Sequence, residues 1–312
     1  TTAGTYSLSA KYGDVVTLTA TKTGYTCTVA GSPITVGTAN VSTANVNCTA
    51  NTYTVGGTNT DGASVAISGS SVTGQSAKTT SPYSFNAKSG DVVTLTATKT
   101  GYTCTVANSP ITVGTASVST ANVNCTAITY TISGTTDGAT VTATGSTVSN
   151  TVTTTAGTYS LSAKYGDVVT LTATKTGYSG CTITASPITV TADATANVTG
   201  CTLNTYTISG ATDGATVTAT GSTVSNTVTT TAGTYSLSAK YGDVVTLTAT
   251  KTGYTCTVAG SPITVGTANV STANVNCTAN TYTVGGTNTD GASVAISGSS
   301  VTGQSAKTTS PY

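Results

Sequence analysis

The 312-residue chain contains no histidine, tryptophan, methionine, arginine or glutamate, and its sole phenylalanine is Phe85. All ten cations are lysine, all nine anions are aspartate, and only 6% of the residues are charged. Without histidine, the Ser-His and Cys-His nucleophile pairings cannot be drawn. Paired-carboxylate chemistry would have to come from aspartates such as Asp137 and Asp167, which sit in or beside turns, where aspartate usually serves a local hydrogen bond. The sequence therefore predicts a chain that is not an enzyme and needs no cofactor. A formal net charge of +1 gives no basic footprint for nucleic acid and no strong field to steer a charged partner. Nor does it oppose association between like surfaces. No run approaches the apolar length of a membrane span, and any signal peptide is expected to lie outside these residues.

What is present is repetition. Residues 1–83 recur unchanged as residues 230–312, an offset of 229. A shorter period lies inside it, marked by Tyr53, Tyr130, Tyr206 and Tyr282 at steps of 77, 76 and 76 residues. Such a period points to stacked units or beads, and about 76 residues suffice for a small, marginal domain. The copies divide the chain into a partial unit at 1–51, units at 52–128, 129–204 and 205–280, and a partial unit at 281–312. Thr1 aligns with Thr154, and Tyr312 with Tyr83, both inside units. A window on a longer array is expected, rather than strand-exchanged closure of the two ends.

Within each copy the hydrophobic pattern has a period of two. In Val168-Val169-Thr170-Leu171-Thr172-Ala173-Thr174, the residues Val169, Leu171 and Ala173 face one way and the threonines the other, as in a half-buried strand. Ala139, Val141 and Ala143 alternate with threonines, and Tyr159, Leu161 and Ala163 alternate with Ser160, Ser162 and Lys164. Asp61-Gly62, Asp137-Gly138 and Asp213-Gly214 each lie between two such runs, where a tight hairpin needing positive φ is expected. No helical period occurs. About seven or eight short strands per copy, with glycine-rich turns, predict an antiparallel two-sheet sandwich.

The string GTYSLSAKYGDVVTLTATKTGY, followed by SPITV and a closing ANVNCTA, resembles the carboxypeptidase regulatory-like domain of bacterial surface proteins. The collagen-adhesin B repeats read similarly. The resemblance covers nearly every copy and implies an immunoglobulin-like, prealbumin-type sandwich used as a spacer, stalk or interaction module, without catalysis. The expected fold is thus all-β: tandem immunoglobulin-like antiparallel β-sandwiches of about 76 residues with one disulfide per unit. Family members would carry an aromatic where Cys104 and Cys125 stand. Lys-to-Asn or Lys-to-Asp isopeptide bonds, known in the B repeats, are disfavoured: Lys164 is in phase with outward Ser162, and the opening strand has no lysine.

Eight cysteines fall one pair to a copy: Cys27 with Cys48, Cys104 with Cys125, Cys181 with Cys201, and Cys256 with Cys277. The third copy is odd. There GYTC becomes GYSGC through an added Gly180, and NVNC becomes NVTGC through an added Gly200. A one-residue insertion reverses a strand's facing unless a bulge absorbs it, and glycine tolerates a bulge. Both cysteines shift together, as bonded partners would. Closing loops of about 20 residues contributes on the order of 3 kcal/mol each. Zinc is disfavoured because CxxC and histidine are lacking, and calcium because acidic residues do not cluster. Disulfides imply export, hence an extracellular or cell-surface location, and the resemblance implies that the source is a bacterium or archaeon.

Between copies Cys125-Thr126-Ala127-Ile128 runs into Thr129-Tyr130 without a flexible linker. Consecutive units must abut, and Tyr53, Tyr130, Tyr206 and Tyr282 are candidates for packing the junctions, with placement at the edge of each unit's own core as the alternative. Rows of Thr170, Thr172 and Thr174 could order water for ice binding, but β-propensity equally explains them. Carbohydrate adhesion would want exposed aromatic platforms, which are missing. Sequons stand at Asn40, Asn197 and Asn269. The expected function is the non-catalytic shaft of a secreted extracellular filament that associates with itself, or alternatively the stalk of a surface adhesin.

Overall fold

The computed structural model describes residues 4–153, 157–212, 214–229, 233–299, 301 and 304–308. Thr1, Thr154, Asp213 and Tyr312, used above to align copies and turns, lie outside them. Every helix or strand element among the described residues is a β-strand. The chain divides into two compact units, one of Thr1–Asp137, Val141–Thr172 and Ile183–Asn197, the other of Gly138–Thr140, Ala173–Thr182 and Val198–Tyr312. Residues of the third copy are therefore shared between them.

In the first unit the alternation of apolar residues with threonine becomes alternation of burial. Val93 and Leu95 are buried while Val92, Thr94 and Thr96 are exposed. The second copy shows the resulting architecture. Its opening strand Thr52–Gly57 pairs antiparallel with Tyr83–Lys88, Thr52 opposite Lys88 and Gly57 opposite Tyr83. On its other side the chain near Val118 runs parallel to it: Val118 N–H donates to the Thr54 carbonyl, and Gly56 N–H to the Val118 carbonyl, each at 2.8 Å. A second layer is built from Ser64–Ser68, Val92–Thr98 and Ile111–Thr112, with Val92–Thr98 in the middle. Val55, Tyr83 and Phe85 of the first layer meet Val65, Val93, Leu95 and Ile111 of the second. Each large side chain so buried stabilises the sandwich by roughly 1.5–3 kcal/mol. In the same unit Thr129–Thr135 pairs with Thr158–Lys164, and Ala194–Thr195 runs parallel on its far side.

The second unit contains the whole fourth copy. Thr205–Thr212 pairs with Gly233–Lys240, Thr205 opposite Lys240. The facing layer has four strands in the order Ser225–Thr229, Thr216–Thr220, Val244–Thr250, Ile263–Thr264. Ile208, Tyr235 and Leu237 pack against Val217, Val245 and Leu247 between the two.

The Asp-Gly turns differ from expectation. Asp137 and Gly138 do take positive φ, 47° and 72°, and so does Gly62 at 66°. They do not close hairpins, however. The strand before Asp61-Gly62 pairs with Tyr83–Lys88, and the strand after it pairs with Val92–Thr98 in the other layer. The turn carries the chain across the sandwich. Turn chemistry fixes a local reversal, whereas partner choice is settled by which layer each apolar face must cover.

Candidate functional site

The structure joins all eight cysteines as Cys27–Cys48, Cys104–Cys125, Cys181–Cys201 and Cys256–Cys277. In three of the copies the bonded pair sits directly opposite across an antiparallel ladder, as with Cys104 and Cys125 between Tyr102–Val106 and Val123–Ala127. Cys104 and Cys125 are half-buried against the core. In the third copy Gly180 and Gly200 adopt positive φ, 66° and 69°. Tyr178 pairs with Leu203 and Ser179 with Thr202 before this interruption, and Thr182 Oγ1 donates to the Thr199 carbonyl at 3.2 Å after it. Because both strands lengthen by one residue, the ladder resumes on both sides of the bridge.

Immediately beyond each staple lies the joint to the next copy, and one residue spans it. Asn51 N–H donates to the Gly24 carbonyl and the Asn51 carbonyl accepts from Ser89 N–H, both at 2.9 Å. Ile128 repeats this between Gly101 and Tyr165 at 2.9 and 2.8 Å, and Asn204 between Gly177 and Tyr241 at 2.9 and 3.0 Å. Each linker residue is thus bonded through its N–H to the copy before and through its carbonyl to the copy after. Gly24, Gly101 and Gly177 have φ of 79°, 78° and 79°. A Cβ on them would collide with the Ser89 side chain, the Tyr165 ring and the Tyr241 ring respectively.

Aromatic and charged contacts extend the joint at Gly101. Tyr102 and Tyr165 meet edge to face, with centroids 6.2 Å apart and planes at 68°. Lys99 Nζ lies 4.1 Å above the Tyr102 ring and donates to the Asp61 carbonyl at 2.7 Å. The Asp61 carboxylate in turn accepts the Cys125 N–H at 3.0 Å. One set of contacts therefore links the Asp-Gly turn, the disulfide strand and the joint. The lysine-over-tyrosine contact recurs at Lys22–Tyr25, Lys175–Tyr178 and Lys251–Tyr254, at 3.6, 4.2 and 4.4 Å.

The opening tyrosines lie elsewhere. Tyr53 and Tyr206 are half-buried against the cores of their own copies, Tyr130 is half-buried opposite Ala163, and Tyr282 is exposed. The Tyr206 hydroxyl accepts from Asn204 Nδ2 of the linker at 3.5 Å. Tyr165, Tyr241 and Ser89, with their glycine partners, are the joint residues that sequence reasoning missed. The signal was present as the recurring Gly of KTGY and Tyr of KYG.

Asp167 is buried, and hydrogen bonds from Ser146 and Thr147 hold its carboxyl below the usual aspartate range against an opposing effect of burial. The backbone N–H of Lys164 adds a further bond at 3.3 Å. Asp243 repeats the arrangement with Ser222 and Thr223. These carboxylates clamp one turn to another. Among the described residues no three His, Cys, Asp or Glu side chains group to hold a metal ion, and no helix is long and apolar enough to cross a membrane.

No protein-family profile matches the chain, and no curated protein sequence matches it. Among solved structures it is similar to the Bacillus anthracis TIE protein, with a TM-score of 0.45 and 12% identity over 75% of this chain. The match spans 53% of that structure, about half its length. What stands from the sequence resemblance is the all-β architecture of repeated, disulfide-bearing sandwich units.

Proposed function

We propose that the chain is the non-catalytic shaft of a secreted extracellular filament. The observation that carries this reading is the single-residue joint, hydrogen-bonded on both sides and sealed by a glycine too close to its neighbour to accept a side chain. A linker that short, with both of its backbone groups committed, leaves adjoining copies little freedom to swivel, which is what a load-bearing shaft requires. The disulfide in each copy supports export to an oxidising compartment, and the net charge of +1 permits copies of the chain to associate.

Negative-stain electron microscopy of the purified protein at rising concentration tests the reading. Extended particles that join into fibres are expected. Beads set at uncorrelated angles would overturn it, while thin rods that never join would favour the adhesin stalk.

A further inference from the structure

We propose that the strands Thr158–Lys164 and Gly233–Lys240 are the edges through which a second copy of this chain is recruited, by antiparallel strand addition centred on Leu161 or Leu237. The inference deepens the filament reading by naming the joining surface.

The second copy reveals what these edges lack. Its corresponding strand, Tyr83–Lys88, is capped by a side chain: Gln75 Nε2 donates to the Asn86 carbonyl at 2.7 Å, and Asn86 N–H donates to Gln75 Oε1 at 2.9 Å. A carboxamide there imitates the backbone of a neighbouring strand. Because Asn86 faces Thr54 in the ladder and directs both backbone groups at Gln75, the groups of Thr54 turn the opposite way, to Ser117 and Val118. The other two copies keep this register. Thr131 stands opposite Ser162 and takes the Asp193 carboxylate on its far side at 2.8 Å, and Thr207 stands opposite Ser238 and takes the Asn269 carbonyl oxygen at 2.9 Å. The N–H and carbonyl of Ser162 and Ser238 therefore point outward. By the alternation of an antiparallel ladder, so do those of Ser160 and Ser236. All four serines are exposed, and among the described residues none bonds these groups. The repeat places threonine, which has no carboxamide, at 151 and 227, the positions equivalent to Gln75.

An edge of this kind is an open template for strand pairing unless proline, a bulge or inward charge blocks it. Here TYSLSAK runs without proline or glycine, identical at 158–164 and 234–240. It is also self-complementary. Pairing centred on Leu161 sets Ser160 of each copy against Ser162 of the other, giving two reciprocal backbone hydrogen-bond pairs, and sets Lys164 against Thr158 rather than against another lysine. The same holds about Leu237. Each 229-residue period thus offers two open edges and one closed by Gln75.

Sedimentation velocity of the oxidised chain over a wide concentration range provides the test. Wild type is expected to form a concentration-dependent associated species, and the double variant Ser162→Pro, Ser238→Pro to lose it with an unchanged melting temperature, because proline is tolerated where an edge N–H faces outward. Should the prolines lower the melting temperature, Thr151→Gln with Thr227→Gln decides instead: a carboxamide at each open edge should weaken association severalfold, whereas Gln75→Ala should strengthen it. A wild type that stays monomeric throughout, or association untouched by closing the edges, overturns the proposal. The second result leaves the shaft reading intact. Beads found to swivel freely would end that reading whatever the edges do.

Discussion

Gly101, with a backbone φ of 78°, packs directly beneath the Tyr165 ring of the following copy, leaving no room for a Cβ, while Gly62, also left-handed at φ 66°, has nothing within 4 Å. The pair separates two reasons for a glycine. Alanine at either position carries the cost of left-handed φ, about 1 kcal/mol. At Gly101 it must also displace the ring. Gly101→Ala is therefore expected to lower thermal stability by about 1–3 kcal/mol more than Gly62→Ala, read by calorimetry of the two variants side by side. Equal losses would show that the joint contact contributes nothing.

Ser89 occupies the place of Tyr165 and Tyr241, so the joint at Gly24 lacks the ring that covers the other two glycines. An aromatic edge-to-face contact such as Tyr102 with Tyr165 adds about 0.5–1.5 kcal/mol beyond the area it buries. Tyr165→Ser should accordingly loosen its joint, and Ser89→Tyr should tighten the other. Limited proteolysis after residues 50–52 and 127–129 measures both: cleavage is expected to rise at the second site in Tyr165→Ser and to fall at the first in Ser89→Tyr. Unchanged cutting in both variants would remove the ring from the account of joint stiffness.

The strands and staples were legible in the sequence, because burial follows alternation and because Gly180 and Gly200 enter opposite strands of the same copy. The joint was legible only as repetition. Gly101 recurs in every KTGY, and Tyr165 in every copy but the second, where Ser89 replaces it, but the copies say nothing about which residue of one meets which residue of the next. Tyr130 looked like a joint residue because it stands at the boundary. In a strand, however, Tyr130 shares a face with Ile132, as Tyr53 does with Val55, and that face covers the copy's own core. The Asp-Gly turns failed for the converse reason: their φ requirement is local, while the layer each flanking strand joins is decided by contacts distant in sequence.

Asp167 gives the fold a dependence on acid. Its carboxyl is held below the ordinary range first by Ser146, then by Thr147 and the Lys164 N–H, so the folded state favours the ionised form more than the unfolded chain does. Stability from this clamp is present above the unfolded aspartate pKa, near 4, and is lost as pH falls through the lower folded value. Chemical denaturation between about pH 2 and 6 should show a decline below about pH 4 that Asp167→Asn makes shallower. Ser146→Ala should also make it shallower and end it at higher pH, because the folded value rises toward the unfolded one. An identical profile in all three proteins would mean that other carboxylates carry the acid sensitivity.

The staple sets how far a copy can be drawn out under load. With Cys104 bonded to Cys125, the chain between them, a separation of 21 residues, cannot extend when the sandwich is pulled apart. At about 3.5 Å per residue, reduction should lengthen each unfolding step by about 70 Å. The same bond restricts the unfolded ensemble and adds on the order of 3 kcal/mol to a copy's stability, so reduced copies should also open more readily. Single-molecule stretching of the chain before and after reductant checks both quantities in one experiment. The Gly180 and Gly200 insertions provide an internal comparison, because the third copy closes a separation of 20 residues and should lengthen by nearly the same amount despite its interrupted ladder. Steps that do not change on reduction would show that the bridges lie outside the path of the force, and the mechanical role assigned to them would fall.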